Sequence, residues 1–487
     1  MSKLRKTSSS SRFSQWFEKY VSTIECYKKI KGMKNKQLII IVGSMLTAAV
    51  LGGMLLMFGQ TSAIAWTAAI TCLTAMLWVT EVIPIPVTSL LPFVLFPIAG
   101  VLDHKEVSLA LGNHVIILLM GAFMLSKSLE KSGVHRRLAV YMVTMVGANS
   151  GRRVVIGFML AAAFLSMWIS NTATTLMLIP IALAVLQYID DKPMAKALIL
   201  GIAYAASVGG IGTPIGTPPN IIFMSIYQEA TGKEVDFIEW MKTSIPIVII
   251  AIPLMALWLT RNVSIKQAFH LPEVGEWRIA EKRVLWVFAL IALAWVTRKI
   301  WSEWLGLKMV GDSTIALLGV VVMFLIPSGE KQEKLLDWRT ANDIPWGMLL
   351  LFAGGIAIAK AFTASGLSDQ LAGMLSGLSS MPLLVLILSV CLFVTFLTEI
   401  TSNTATATLL MPVLATAGIA AGTDPKLLMM PAAISASCAF MLPVATAPNA
   451  IAYGANKFTI KDMVREGAIL NVIVACVVSG VCYSMLG

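Results

Sequence analysis

Ser170-Asn171-Thr172-Ala173-Thr174-Thr175-Leu176-Met177-Leu178-Ile179-Pro180 returns in altered form as Ser402-Asn403-Thr404-Ala405-Thr406-Ala407-Thr408-Leu409-Leu410-Met411-Pro412. Both copies lie inside long apolar segments. Hydroxyl and amide side chains are costly at membrane depth unless they meet a ligand, an ion or one another. A single Ser-Asn-Thr in a membrane helix reads as a hydrogen-bond node between helices. Two copies in matching surroundings read as a site.

The surroundings are those of a membrane protein. Of 487 residues, 57% are hydrophobic and 13% charged, against about 25% charged in a soluble domain. Apolar runs of about 20 residues, enough to cross a bilayer, recur along the chain. The fold expected is an all-α polytopic membrane protein. About eleven spans are placed near 38–57, 62–80, 86–102, 113–131, 195–227, 244–260, 284–301, 313–327, 345–363, 427–452 and 468–486. The spans at 195–227 and 427–452 are broken by Gly212-Thr213-Pro214-Ile215-Gly216-Thr217-Pro218-Pro219-Asn220 and by the stretch from Pro443 to Pro448.

The repeat extends beyond its tips. Lys127-Ser128-Leu129-Glu130-Lys131-Ser132-Gly133 matches Lys360-Ala361-Phe362-Thr363-Ala364-Ser365-Gly366. Pro214-Ile215-Gly216-Thr217-Pro218-Pro219-Asn220 matches Pro443-Val444-Ala445-Thr446-Ala447-Pro448-Asn449. If 152–190 and 382–420 are re-entrant hairpins, an odd number of crossings separates the halves, which makes them inverted repeats. Paired broken helices in inverted repeats are the pattern of a secondary transporter.

Charge sets the orientation. Residues 1–36 carry ten Lys/Arg against two Glu, a basic arm without a cleavable signal pattern, so the N-terminus is placed in the cytoplasm. Trp16, Phe17, Tyr20, Val21 and Ile24 can line one face of a surface helix in it. With re-entrant hairpins, 29 Lys/Arg fall inside and 7 outside, the bias expected of a correct topology. The first repeat then fills 37–260, with an inward hairpin over 152–190 and a broken helix over 195–227. Residues 261–283 form a cytoplasmic loop. The second repeat fills 284–487, with an outward hairpin over 382–420 and a broken helix over 427–452. The C-terminus lies outside. Beyond the arm the chain is nearly neutral, which argues against nucleic acid as a partner. Cys26, Cys72, Cys391, Cys438, Cys476 and Cys482 lack metal-ligand spacing and read as apolar fillers.

Each tip is a helix start. Ser, Asn and Thr are good N-caps, and free backbone N–H groups at the positive end of a helix attract anions without a fixed cation. Unpaired carbonyls and the Asn amide oxygen suit Na⁺. Ser166 and Thr398 stand one turn before Ser170 and Ser402 and can add an oxygen. Thr217 and Thr446 are expected to cap the half-helices after the breaks, with Pro219 and Pro448 in the first turn. Gly216 and Ala445 are small enough for their carbonyls to approach an ion. No Lys or Arg lies in the four motifs, so a dianion there depends on helix ends and co-bound Na⁺. Glu399 beside the second tip reads as a brace or a proton carrier, and Glu81 as interfacial.

At these residues the chain resembles the divalent anion/sodium symporter family, carriers of di- and tricarboxylates. Thr398-Glu399-Ile400-Thr401-Ser402-Asn403-Thr404-Ala405-Thr406 looks like its signature. The resemblance covers the chain after the arm and is strongest to bacterial carriers of C4-dicarboxylates such as succinate. It implies a homodimer in the inner membrane, with a scaffold domain and a transport domain that moves as an elevator. The transport domain would hold both hairpins and the spans at 195–227, 244–260, 427–452 and 468–486. It implies one Na⁺ site at Ser166, Ser170, Asn171 and Gly216, and a second at Thr398, Thr401, Asn403 and Ala445. The dicarboxylate would meet Ser170, Asn171, Thr172, Thr217, Ser402, Asn403, Thr404 and Thr446. A citrate or sulfate carrier, H⁺ coupling and an anion channel are the alternatives. An enzyme is not expected, because no nucleophile–base pair or metal cluster lies at membrane depth.

Overall fold

A computed structural model describes residues 36–487 other than 188, 190, 267–268, 270, 272–273, 308, 330–332 and 376–380. Residues 1–35 of the basic arm, with its proposed surface helix, lie outside the described residues. So do Lys308 and Lys331 of the charge argument.

The described chain is helical apart from connections and one isolated bridge between Pro327 and Lys334. Among the described residues, eight helices are long and apolar enough to cross a membrane. They are Lys36–Met57, Ser62–Thr80, His104–Ser132, Lys192–Gly212, Phe237–Thr260, Trp346–Ser365, Asn403–Ala420 and Ile460–Leu486. Ile279–Val296 and Arg298–Trp304 make a ninth if their 78° bend is counted within one span. Ile85–Ile98 and Asp312–Leu325 are shorter apolar helices at two other expected positions. Large apolar side chains face outward along these helices, among them Ile249, Leu257, Trp286, Leu293 and Leu318. That belt suits lipid and would be a liability in water.

The interrupted segments break where the polar clusters fall. The first is two helices, Gly151–Ser166 and Asn171–Leu186, and the second is Leu383–Thr398 and Asn403–Ala420. A Cβ on Gly151, where the first arm starts, would stand 3.1 Å from Met194 Sδ, just past the end of the second arm. The segment therefore begins and ends in one place. The broken spans are Lys192–Gly209 with Pro218–Thr231, and Lys426–Ala436 with Ala447–Gly454. The first starts earlier and ends later than the sequence suggests, because Asp191 caps it and Gly232 closes it in the left-handed conformation.

Lys192–Gly212 is the most enclosed of the eight candidate spans, 94% buried. Its glycines explain the close approach. A Cβ on Gly209 would stand 2.2 Å from the Ala163 carbonyl, and one on Gly201 would stand 2.9 Å from Met159. Arm and span thus pack backbone to backbone, which small residues permit in membranes.

Candidate functional site

At the first tip Ser170 is non-helical, at φ −56° and ψ 142°, and its Oγ accepts from the Ala173 N–H at 3.2 Å. The helix that follows presents its open N-terminal end at Asn171 and Thr172. At the second tip Ser402 takes the cap position with extended backbone but makes no side-chain cap bond. Ser166 Oγ donates to Asn171 Oδ1 at 2.5 Å, and Thr398 Oγ1 donates to Asn403 Oδ1 at 2.7 Å. Both hydroxyls are buried behind the tips and fix the orientation of the two amides. Thr401 turns back into its own tip, 2.8 Å from the Leu397 carbonyl and 2.6 Å from Thr406 Oγ1.

The breaks lie against these tips. A Cβ on Gly210 would stand 2.6 Å from Asn171 Oδ1, and one on Gly216 would stand 2.4 Å from the Gly210 carbonyl. Thr446 caps its half-helix, accepting from the Asn449 N–H at 3.2 Å. Thr217 does not, contrary to expectation. The Asn220 N–H turns instead to the Thr217 carbonyl. The Thr217 hydroxyl is left 3.3 Å from Ser437 Oγ, which joins the two repeats.

Sequence reasoning missed the staples of the breaks. Asn220 Nδ2 donates to the carbonyls of Gly210 and Thr213, at 3.1 and 2.8 Å. Asn449 Nδ2 donates to those of Ala439 and Leu442, at 2.9 and 3.1 Å. The intervals of ten and seven residues are identical. Each Oδ1 is buried with no hydrogen-bond partner, an acceptor left over in both repeats. The signal was the Pro-Asn that ends both copies of the break motif.

Glu399 is a brace. Its oxygens accept from the N–H groups of Phe440, Met441 and Leu442, at 2.7, 2.9 and 3.0 Å, and from Asn471 Nδ2 at 2.8 Å.

Both tips and both breaks line one cavity of about 730 Å³. Ser170, Asn171, Thr172, Gly216, Thr217, Thr401, Ser402, Asn403, Thr404, Ala445 and Thr446 all face it. Ser166 and Thr398 support it from behind. The cavity is not free of charge, because Glu81, Lys127, Glu130 and Asp343 also line it. Glu81, read from sequence as interfacial, sits there with φ +47° in the left-handed region. Such backbone strain gathers at functional sites.

A polar cavity between two helix tips, inside a bundle of apolar helices, has the form of a membrane transport site. The model of the citrate transporter family matches residues 75–425. The chain is 42% identical over 444 residues to the sodium-dependent dicarboxylate transporter SdcS of Staphylococcus saprophyticus, covering 86% of this chain and 85% of that one. It is 38% identical to SdcS of Staphylococcus aureus strain MRSA252, covering 96% and 95%. Among solved structures, the YdaH transporter of Alcanivorax borkumensis is similar in fold, with a TM-score of 0.51, 15% identity and coverage of 76% and 85%. The chain belongs to the citrate transporter family, and within it to carriers of the divalent anion/sodium symporter type.

Proposed function

We propose that the protein is a secondary carrier that imports C4-dicarboxylates such as succinate, driven by Na⁺. The observation that carries the reading is that both Ser-Asn-Thr tips and both breaks line one cavity. One carboxylate of the solute meets the first tip, at Ser170, Asn171, Thr172 and Thr217. The other meets Ser402, Asn403, Thr404 and Thr446. One Na⁺ is taken by Ser166, Ser170, Asn171 and the Gly216 carbonyl. A second is taken by Thr398, Thr401, Asn403 and the Ala445 carbonyl.

The energetics favour coupling. Placing a charged group at a helix centre costs about 2.5–3.5 kcal/mol even on the mild scale. Bound Na⁺ beside the tips offsets that cost, so cation and anion load together. Orphan acceptors at Asn220 and Asn449 lie buried behind both breaks, outside the cavity lining.

In the topology set by the basic residues, Glu81, Lys127, Glu130 and Asp343 stand at the inner ends of their helices. The cavity they rim opens to the cytoplasm, with the N-terminus inside and the C-terminus outside. The hairpins and broken spans move together as the transport part of a homodimer in the plasma membrane, in the manner of an elevator. Purified protein in liposomes should take up labelled succinate only with an inward Na⁺ gradient. Uptake that persists in choline medium with a proton gradient would refute Na⁺ coupling. Citrate is the second reading, favoured by the family model's description. Competition by citrate against labelled succinate separates the two.

A further inference from the structure

The cavity mouth carries a cation that the tips lack. Lys127 opens a seven-residue repeat element whose mate opens on Lys360, and each element ends in a left-handed glycine, Gly133 at φ +75° and Gly366 at φ +81°. Lys127 Nζ lies 3.2 Å from Glu130 Oε2 and 3.1 Å from Asp343 Oδ2. The Lys127 side chain is 25% exposed, and that of Asp343 is 81% exposed. An ammonium has three donors and no fixed geometry, and an exposed ion pair is weakly held. A carboxylate leaving the tips can therefore replace Asp343 on Lys127. Without that lysine the described rim would hold Glu81, Glu130 and Asp343 alone and repel the departing anion.

Lys360 does not line the cavity among the described residues. Its helix, Trp346–Ser365, packs against the half-helix Pro218–Thr231, which carries Glu229 near its end. In the inverted topology that place is the outer end, which is shut when the inner mouth is open. Lys360 is on a scaffold helix and Glu229 on the moving part, so opening the outer mouth separates them.

We propose that Lys127 and Lys360 are paired mouth cations, one per repeat, that meet the dicarboxylate at the inner and outer entrances in turn. This rests on the transport reading above. Succinate half-saturation is measured from each face, with vesicles of both orientations. Lys127→Gln should raise the inner-face value about fivefold, equivalent to about 1 kcal/mol, and leave the outer-face value unchanged. Lys360→Gln should do the reverse. Lys127→Arg should restore the inner-face value. Asp343→Asn should lower it, because a competitor for Lys127 is gone. Asp343→Asn raising it as Lys127→Gln does would mark a structural ion pair and overturn the proposal. Glutamine variants that match wild type on both faces would also overturn it. If wild-type vesicles show no Na⁺-driven uptake, the transport reading falls and takes this proposal with it.

Discussion

The two breaks share a backbone plan and are held by opposite means. In the first, donors reach carbonyls: Trp240 Nε1 to Ile211 at 2.8 Å, Ser244 Oγ to Gly212 at 3.1 Å, and Thr213 Oγ1 to Met167 at 2.5 Å. In the second, the Glu399 carboxylate gathers three N–H groups. Met167 and Glu399 are equivalent in the repeat, as are Thr213 and Leu442. The tip-to-break link therefore runs in both repeats from the break to the tip, with side chain and backbone exchanged: a side-chain hydroxyl donates to a backbone carbonyl in the first, and a backbone N–H donates to a side-chain carboxylate in the second. The first break closes through Gly210, Gly212 and Gly216, where the second has Ala439, Met441 and Ala445. Glycine contact holds one break and a buried acid holds the other. Symmetry governs the backbone, and charge is free to differ.

The largest test of that contrast is Glu399→Ala. It leaves the N–H groups of Met441 and Leu442 and the Asn471 amide without acceptors, while the Phe440 N–H keeps Asn471 Oδ1. Each group left unpaired that stays buried costs about 1–3 kcal/mol. We expect a loss of several kcal/mol in thermal unfolding in detergent, together with loss of uptake. Met167→Leu at the equivalent position should cost under about 1.5 kcal/mol, as a volume-conserving change. Equal losses at the two positions would end the comparison.

Next come the tips themselves. Asn171→Asp and Asn403→Asp each place a carboxylate beside the solute's own. Two unit charges about 4 Å apart repel by about 4 kcal/mol at an effective dielectric of 20. Succinate uptake should fall more than about tenfold in both while the folded protein is retained. The loss should be greater for Asn403→Asp, which has Glu399 behind it. Wild-type uptake by either variant would contradict the tip assignment.

Glycine contact predicts a third asymmetry. Gly216→Ala drives a methyl into the Gly210 backbone, an overpacking that costs about 1–3 kcal/mol. Half-saturation for Na⁺ should rise with it. Ala445→Gly relieves nothing and should shift Na⁺ activation less. A larger effect at Ala445 would reverse the assignment of which break depends on close approach.

What was legible in the sequence follows from these costs. The tips stood out because polar side chains inside apolar runs have few innocent explanations. Ser166 and Thr398 followed from one turn of helix. Lys127 was quoted as part of the repeat, yet its reach into the cavity was hidden. Its side chain enters from a helix end that belongs to no motif at the tips. Asn220 and Asn449 stand in the sequence only as the last residues of the repeated break motif, and only the folded loop shows what their amides hold. Thr217 looked like its mate Thr446, but Ser437 from the other repeat competes for its hydroxyl, which no local pattern reveals.

The smallest effect tests the exchanged link directly. Thr213→Val keeps the shape and removes the donor to the Met167 carbonyl, which should cost about 1 kcal/mol of thermal stability. Leu442 has no side-chain donor, and its link survives through its backbone N–H to Glu399. Thr213→Val and Met167→Leu should therefore simply add, because the bond is to the Met167 carbonyl and not to its side chain. Strong non-additivity in that double mutant would mean that the Met167 side chain, and not the peptide behind it, carries the first tip.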